Sequence, residues 1–256
     1  MSTHDPPPFD ASPTGSTTLP DELNAFYRAP RPTIVAVLAR AGPERLALAT
    51  ALLRAMTCPG VVVATREGAG AYRDFIGAVD PPLPAPWTVL EGGNSEGGVQ
   101  AVARALRHSR DLIVDSNLEE ALSALWLPAH ILEAFGLLPA DGSGLVLLDS
   151  WDGLLQEYLP EVARESEGWP TSEQLETILA RTLRKYAQAL VVVIVDSSSR
   201  SRIVDLADGV IEVVTRGQFG VLSGSVLVTR KTGGSPQRDS LRFQLEGGTI
   251  RWHLNR

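Results

Sequence analysis

The sequence holds one cysteine, Cys58, so no disulfide can close within the chain and no cysteine-based metal site can be built from it. That scarcity fits a reducing compartment. Cys58 lies between a helix-like and a strand-like segment and is expected to act as a small apolar residue. The four histidines, His4, His108, His130 and His253, are scattered without zinc spacing, so no metal is expected. No stretch reaches the roughly 18 consecutive apolar residues of a membrane helix. The N-terminus lacks the basic and apolar regions of a signal peptide, and a cytoplasmic chain with no membrane partner is expected. A G-x-S-x-G elbow is missing, and no Ser-His-Asp order stands out.

Positive charge is also in deficit: 23 Lys and Arg face 30 Asp and Glu, a net charge of −7. A chain whose main task is gripping phosphate backbones would usually show a basic face. The sign argues against that task. Base is nonetheless richer in the C-terminal third, at Arg184, Lys185, Arg200, Arg202, Arg230, Lys231, Arg238 and Arg242. The plainest reading of these is solvated charge on loops and helix ends.

With 44% of 256 residues hydrophobic, the chain has material for a sizeable core. Residues 1–20 are rich in Pro, Ser and Thr and read as a disordered tail; 21–256 read as a single domain. Asp21 to Arg28 suits a short helix. Thr33 to Leu38, Gly60 to Ala64, Trp87 to Leu90, Asp111 to Asp115, Gly144 to Asp149 and Ala189 to Val195 are short apolar runs of the kind buried on both sheet faces. Between them, Arg45 to Met56, Ala71 to Val79, Val99 to Arg107, Leu118 to Phe135 and Ser172 to Tyr186 read as helices. The last carries Leu175, Ile178, Leu179, Thr182, Leu183 and Tyr186 on one side, with Ser172 as its expected cap. Glu157 to Glu167 reads as an acidic surface loop. After Gly209 the texture becomes short strands separated by glycine turns, an antiparallel meander. The predicted fold class is therefore α/β, a mostly parallel central sheet with C-terminal antiparallel hairpins.

The first strand, a tight turn and a helix mark the place where a nucleotide-binding α/β domain puts its phosphate loop. That loop uses glycines to bring backbone N–H groups to phosphate, a Lys for the β- and γ-phosphates, and a Ser or Thr hydroxyl for Mg²⁺. Here the window reads Ala39-Arg-Ala-Gly-Pro-Glu-Arg-Leu46. Gly42 remains as a middle glycine. Ala39 and Glu44 replace the flanking glycines, Arg45 the lysine and Leu46 the hydroxyl residue. Glu44 sets a carboxylate against phosphate oxygens, the planar fork of Arg45 is not equivalent to an ammonium, and Leu46 cannot ligate a cation. Either the pocket binds nucleotide with altered chemistry, or it is a strand–helix turn in which a local ion pair fills the vacated place.

Three further segments join this window. Val62-Val-Ala-Thr-Arg-Glu-Gly68 puts Arg66 and Glu67 after the second strand. Leu145-Val-Leu-Leu-Asp149-Ser150 is an apolar strand ending in an acid. Leu206, Asp208, Gly209, Val210 and Ile211 form an L-x-D-G-V-I segment, followed by Val228-Thr-Arg-Lys-Thr-Gly-Gly-Ser235. Together they resemble the KaiC/GvpD group of RecA-superfamily ATPases over roughly Pro32 to His253. The resemblance implies a RecA-like three-layer domain. It implies that Glu67 is the surviving one of two catalytic glutamates and that Asp149 is the acid holding the Mg²⁺ water. Gly42, Arg45 and Asp149 would make the nucleotide site, and Arg230 and Lys231 would reach a neighbouring subunit. On the residues alone, Asp149 has a second reading, as the cap of a helix over Trp151 to Tyr158.

The resemblance implies ATP or ADP with Mg²⁺ as the family's ligand, while the substitutions favour a chain with no cofactor. The expected function is that of a degenerate, catalytically inactive homologue acting in regulation or assembly. Its partners would be further copies of itself or an active KaiC/RecA-like paralogue. One alternative is a divergent ATPase using Arg45, Glu67 and Asp149. Another is a RadA-like recombinase paralogue binding DNA through its basic C-terminal region. The acidic pI and the lack of an aromatic-basic DNA loop place that nucleic-acid reading last. Asp196-Ser-Ser-Ser199 and Trp151 lie where a ligand in the central cleft would be touched; a polar loop and a packing role are the plainer readings.

Overall fold

The computed structural model describes residues 20–29, 33–40, 45, 58–78, 86–92, 129–165, 171–218, 221–230, 237–246 and 249–253. Its strands are β1 (Thr33–Ala39), β2 (Gly60–Thr65), β3 (Trp87–Gly92), β4 (Leu145–Asp149), β5 (Leu190–Asp196), β6 (Gly209–Gln218), β7 (Val221–Arg230), β8 (Gln237–Glu246) and β9 (Thr249–His253). Its helices are α1 (Asp21–Arg28), α2 (Arg66–Ala78), α3 (Ala129–Gly136), α4 (Trp151–Glu165), α5 (Ser172–Tyr186) and α6 (Arg202–Leu206). The readings at 1–19, 46–56, 99–107, 111–115 and 118–128 lie outside the described residues.

The apolar runs Thr33–Ala39, Leu145–Asp149 and Leu190–Asp196 are buried almost throughout, as strands covered on both faces must be. They lie inside one nine-stranded sheet of order β3-β2-β4-β5-β1-β6-β7-β8-β9. Pairing is parallel from β3 to β6 and antiparallel from β6 to β9. The expected α/β arrangement, mostly parallel with a C-terminal antiparallel extension, is the one the chain adopts.

Alternation along each strand sends side chains to two cores. On one face Val35, Val37, Val62, Leu147 and Ile194 pack with Leu23 and Phe26 of α1 and Tyr72 of α2. On the other, Ile34, Val63, Val146, Leu148 and Val193 pack with Ile131 of α3, Trp151 and Leu154 of α4, and Leu179 and Leu183 of α5. Helices on both sheet faces make three layers. Among the described residues, no helix is long and apolar enough to cross a membrane.

Some local readings change. Thr171, not Ser172, caps α5: its hydroxyl accepts from Gln174 N–H while the Gln174 side chain accepts from Thr171 N–H, a reciprocal capping box. The stretch read as an acidic loop is helical to Glu165, with Pro160 inside the helix. The antiparallel strands β6, β7 and β8 are ten residues each, longer than their apolar segments, because polar residues continue the outward face. Arg184 and Arg202 are not merely solvated: Arg184 pairs with Asp208, and Arg202 with Glu173 and Asp205.

The L-x-D-G-V-I segment has a structural explanation. Asp208 is buried, and its Oδ2 accepts from Ile34 N–H at 2.9 Å while its own N–H donates to the Ile34 carbonyl at 2.8 Å. Its Oδ1 takes the Arg184 guanidinium at 2.6 Å, and the same guanidinium donates to the Leu206 carbonyl. Gly209 follows because Phe26 covers it: a Cβ there would come within 2.1 Å of the ring. Asp208→Ala would strand the Ile34 N–H and release Arg184, so a loss of about 2–3 kcal/mol is expected in urea unfolding. Asp208→Asn, which keeps an acceptor, is expected to lose less. An unfolding midpoint unchanged in the alanine variant would sink this account.

Candidate functional site

In open α/β sheets ligands bind beyond the carboxyl ends of the parallel strands. At that edge β4 ends in Asp149, in register with Ala64 of β2 and Ile194 of β5, and β5 ends in Asp196, in register with Ala39 of β1. The turn leaving β1 falls in 41–44, outside the described residues, and Gly42 with it. Arg45 is described.

Asp149 is buried, at 6% exposure. Two side chains meet it. The Tyr72 hydroxyl, from α2 and itself fully buried, donates to Oδ2 at 2.5 Å. The Arg45 guanidinium lies 3.1 Å from Oδ1. That contact is ionic rather than directional, because Oδ1 accepts no aligned hydrogen bond. Burial raises the Asp149 pKa, opposed by the Arg45 charge and the Tyr72 hydrogen bond. The same burial, with the Asp149 charge and hydrogen bond, pushes the Tyr72 phenol well above its ordinary value, and Arg45 pulls it partly back. Tyr72 is therefore a neutral donor, and Arg45 the countercharge.

Helix capping is not the task of Asp149. Ser150 does that work: its hydroxyl accepts from Gly153 N–H at 3.1 Å and its carbonyl from Leu154 N–H at 2.9 Å. The peptide between Asp149 and Ser150 is cis. Trp151 is not placed to stack on a ligand, since it is fully buried and its indole N–H donates to Glu176 Oε1 at 3.1 Å. That same oxygen accepts from the Ser201 hydroxyl at 2.6 Å and Arg202 N–H at 2.8 Å, locking α4, α5 and α6 together. The Asp196 loop folds on itself: Ser198 donates to Asp196 Oδ1 through both its N–H and its hydroxyl, and Asp196 N–H donates to Asp152 Oδ2. Ser197 N–H closes onto the Ala39 carbonyl. This is the polar-loop reading.

Of the residues singled out in sequence, the fold brings Arg45 and Asp149 together. Glu67 falls in the first turn of α2, just past the carboxyl end of β2. Arg230 ends β7 opposite Gly209, where β6 begins, so it lies at the amino edge of the parallel strands, away from Asp149. Lys231 lies outside the described residues. Tyr72 was missed; the available signal was that a tyrosine on a core-facing helix needs a polar partner when buried.

A Mg²⁺ ion does not fit this carboxylate. One oxygen holds the Tyr72 hydroxyl, the other faces a guanidinium, and the described residues include no group of three or more His, Cys, Asp or Glu able to hold a metal. What the trio does chemically is neutralise a buried charge.

No protein-family model matches the chain, and no curated protein matches it. Among solved structures it is similar to a KaiC-like protein of the archaeon Pyrococcus horikoshii OT3, at 13% identity and a TM-score of 0.45, covering 87% of this chain and 89% of that one. It is similar to the RadB recombinase, at 16% identity and 0.45, covering 85% and 89%. It is also similar to the flagellar accessory protein FlaH of Methanocaldococcus jannaschii, at 12% identity and 0.47, covering 92% and 96%.

The raised Asp149 pKa fixes a sign. A folded pKa above the unfolded one means the folded chain binds the proton more tightly, so this group withdraws stability as pH climbs from the ordinary carboxylate value, about 4, to the folded value. Asn at 149 does not titrate. The stability of Asp149→Asn relative to the parent should therefore rise across that window and then level, measured by urea unfolding between about pH 3 and 7. A difference that is flat or falls with pH would show that Arg45 outweighs burial.

Proposed function

We propose that this chain is a KaiC/RecA-like P-loop NTPase homologue that no longer hydrolyses ATP and acts as a regulatory or assembly protein through protein contacts. The observation that carries the reading is the Arg45–Asp149 ion pair. An acid closing a buried strand at the carboxyl edge is where the family holds its metal water. Here a cation covalently part of the chain balances that acid instead. The resemblance over Pro32 to His253, and the position of Asp149 on a strand separated from β1 only by β5, support the family assignment. The loss of the lysine, the hydroxyl residue and one glutamate supports inactivity, because these groups cooperate in one reaction.

Residues 21–256 act as one domain in this reading, and the partner is a further copy of the chain or an active paralogue. Glu67, in the first turn of α2, then has no catalytic role. A buried carboxylate stripped of its countercharge is costly, on the order of 3–5 kcal/mol, so Arg45 is a stabilising residue first.

Calorimetric titration with ATP and with ADP, with and without Mg²⁺, tests the proposal. The expected result is no heat, no thermal shift at millimolar nucleotide (roughly a thousandfold above a micromolar Kd, where binding would add about 4 kcal/mol) and no phosphate release. Arg45→Ala is expected to lower stability without creating binding. Micromolar nucleotide binding by the parent, abolished in Arg45→Ala, would overturn the reading. Mg²⁺-dependent phosphate release lost in Asp149→Asn would establish an ATPase.

A further inference from the structure

The antiparallel extension has two unlike faces. Inward, Val213, Val226, Val228, Leu241, Phe243 and Trp252 join the core. The outward face lies on the side of α3–α6, yet the core beneath those helices takes no residue of β6–β9. Glu212 and Val214 of β6 are exposed there, as are Arg238, Ser240 and Arg242 of β8. Leu227 of β7, between them, is half-buried. Antiparallel sheets commonly leave one face to water, so openness alone assigns no role.

The order of the charges does more. Strands β6 and β8 flank β7 and run in the same direction. Register sets them level with each other. Glu212 is opposite Leu227, and Leu227 opposite Ser240, so Glu212 stands level with the gap between Arg238 and Arg242. Four residues on, Arg216 is opposite Ser223, and Ser223 opposite Gln244, so Arg216 stands level with the gap between Arg242 and Glu246. Read along one direction, β6 goes from negative to positive and β8 from positive to negative. The two orders are inverse, and β7 is the midline.

We propose that this face pairs with the same face of a second copy of the chain, about a two-fold axis lying along β7. Such an axis sets β6 of each copy over β8 of the other, running the same way. Glu212 of each copy then faces Arg238 and Arg242 of the other, and Arg216 faces the Glu246 end of β8. Packed sheets lie about 10 Å apart with strands within about 30° of each other, a gap that an arginine and a glutamate span together from opposite sides. Leu227 sits on the axis and meets its own counterpart. Val214, 48% exposed, lies over the aliphatic stem of Arg242 of the other copy, which gives an apolar centre inside a charged rim. Four strands about 4.8 Å apart, each offering about 20 Å of length, present on the order of 400 Å² in projection and more as accessible surface, so two copies would bury about 1,000 Å², the size of a reversible rather than an obligate dimer. To a polyanion or an unrelated acidic protein, Glu212 and Glu246 are repelling charges. A second copy turns both into contacts, because one patch serves both sides of a two-fold interface.

The proposal rests on the reading of this chain as one that acts through protein contacts, and takes a further copy as the partner; it makes no use of nucleotide. Sedimentation equilibrium of the full chain, without nucleotide, tests it. A monomer–dimer equilibrium is expected between about 1 and 200 µM protein at about 50 mM salt, weakening as salt is raised. Glu212→Arg sets arginine against arginine in its own dimer, and Arg238→Glu/Arg242→Glu sets acid against acid. Each variant alone should lose self-association by about tenfold or more. Mixed in equal amounts, the two should pair with each other about as tightly as the parent does with itself, since every facing charge is then opposite. That recovery also shows both variants to be folded. Arg28→Glu, exposed on α1 beyond the other sheet face, should self-associate as the parent does. A parent that stays monomeric across the whole range would overturn the proposal. So would self-association that survives in either variant, or a mixture in which the two do not pair. Nucleotide binding in the calorimeter would remove the inactive-homologue reading and leave the outcome of this test standing.

Discussion

Where a parallel sheet hands over to an antiparallel one, the last parallel strand must be seated on the first before anything beyond it has a template. Asp208 does this seating. Its backbone N–H and side-chain carboxylate both engage Ile34, so the β1–β6 ladder begins one residue earlier than the strand pairing alone provides. Arg184 makes the carboxylate affordable in a buried position and ties the end of α5 to the same point. Gly209 leaves room for Phe26, which brings α1 onto the junction. The hairpin extension joins the parallel sheet through the β1–β6 ladder that this residue pair begins.

The same device recurs at Asp149. In both places a carboxylate at a strand end is buried and is met by an arginine from a helical residue, Arg184 in one case and Arg45 in the other. The difference lies in the remaining contacts. Asp208 has directional hydrogen bonds to both oxygens. Asp149 has one, from Tyr72, and an off-axis ionic contact, and burial still lifts its pKa. Asp208 is thus satisfied by its surroundings, whereas Asp149 is only restrained by them.

Much of the layout was legible because burial on both faces demands continuous apolar runs, and Thr33–Ala39, Leu145–Asp149 and Leu190–Asp196 advertise themselves. Helix α5 was legible for the matching reason, an apolar stripe at helical spacing. Its cap was not, since Thr171 and Ser172 are adjacent and only the reciprocal bond with Gln174 chooses between them. Strands β6 and β8 were read short, as Val210 to Thr215 and Ser240 to Leu245, because Arg216 to Gln218 and Gln237 to Asp239 hold no apolar residue to mark an alternation, whereas β7 was read at close to its full length. In the site, a local ion pair was foreseen as one way to fill the altered loop, but its acid is Asp149, over a hundred positions away. No spacing rule links such residues. Tyr72 signalled only a need for a polar partner, and that the partner is Asp149 had no signal for the same reason. The L-x-D-G-V-I segment was recognised as a pattern, while its meaning, a side chain replacing a rung of sheet, needed Ile34 beside it.

The strand order also bears on how the chain is made. Strand β1 emerges early from synthesis, yet both its neighbours, β5 and β6, begin only at Leu190 and Gly209. At about 5–20 residues per second, the interval before either exists is on the order of ten to thirty seconds. Throughout it, seven residues with an apolar run at their centre have no partner on either edge. A strand buried almost throughout in the finished protein is therefore the one longest without a home, and its protection during that interval has to come from outside the sheet.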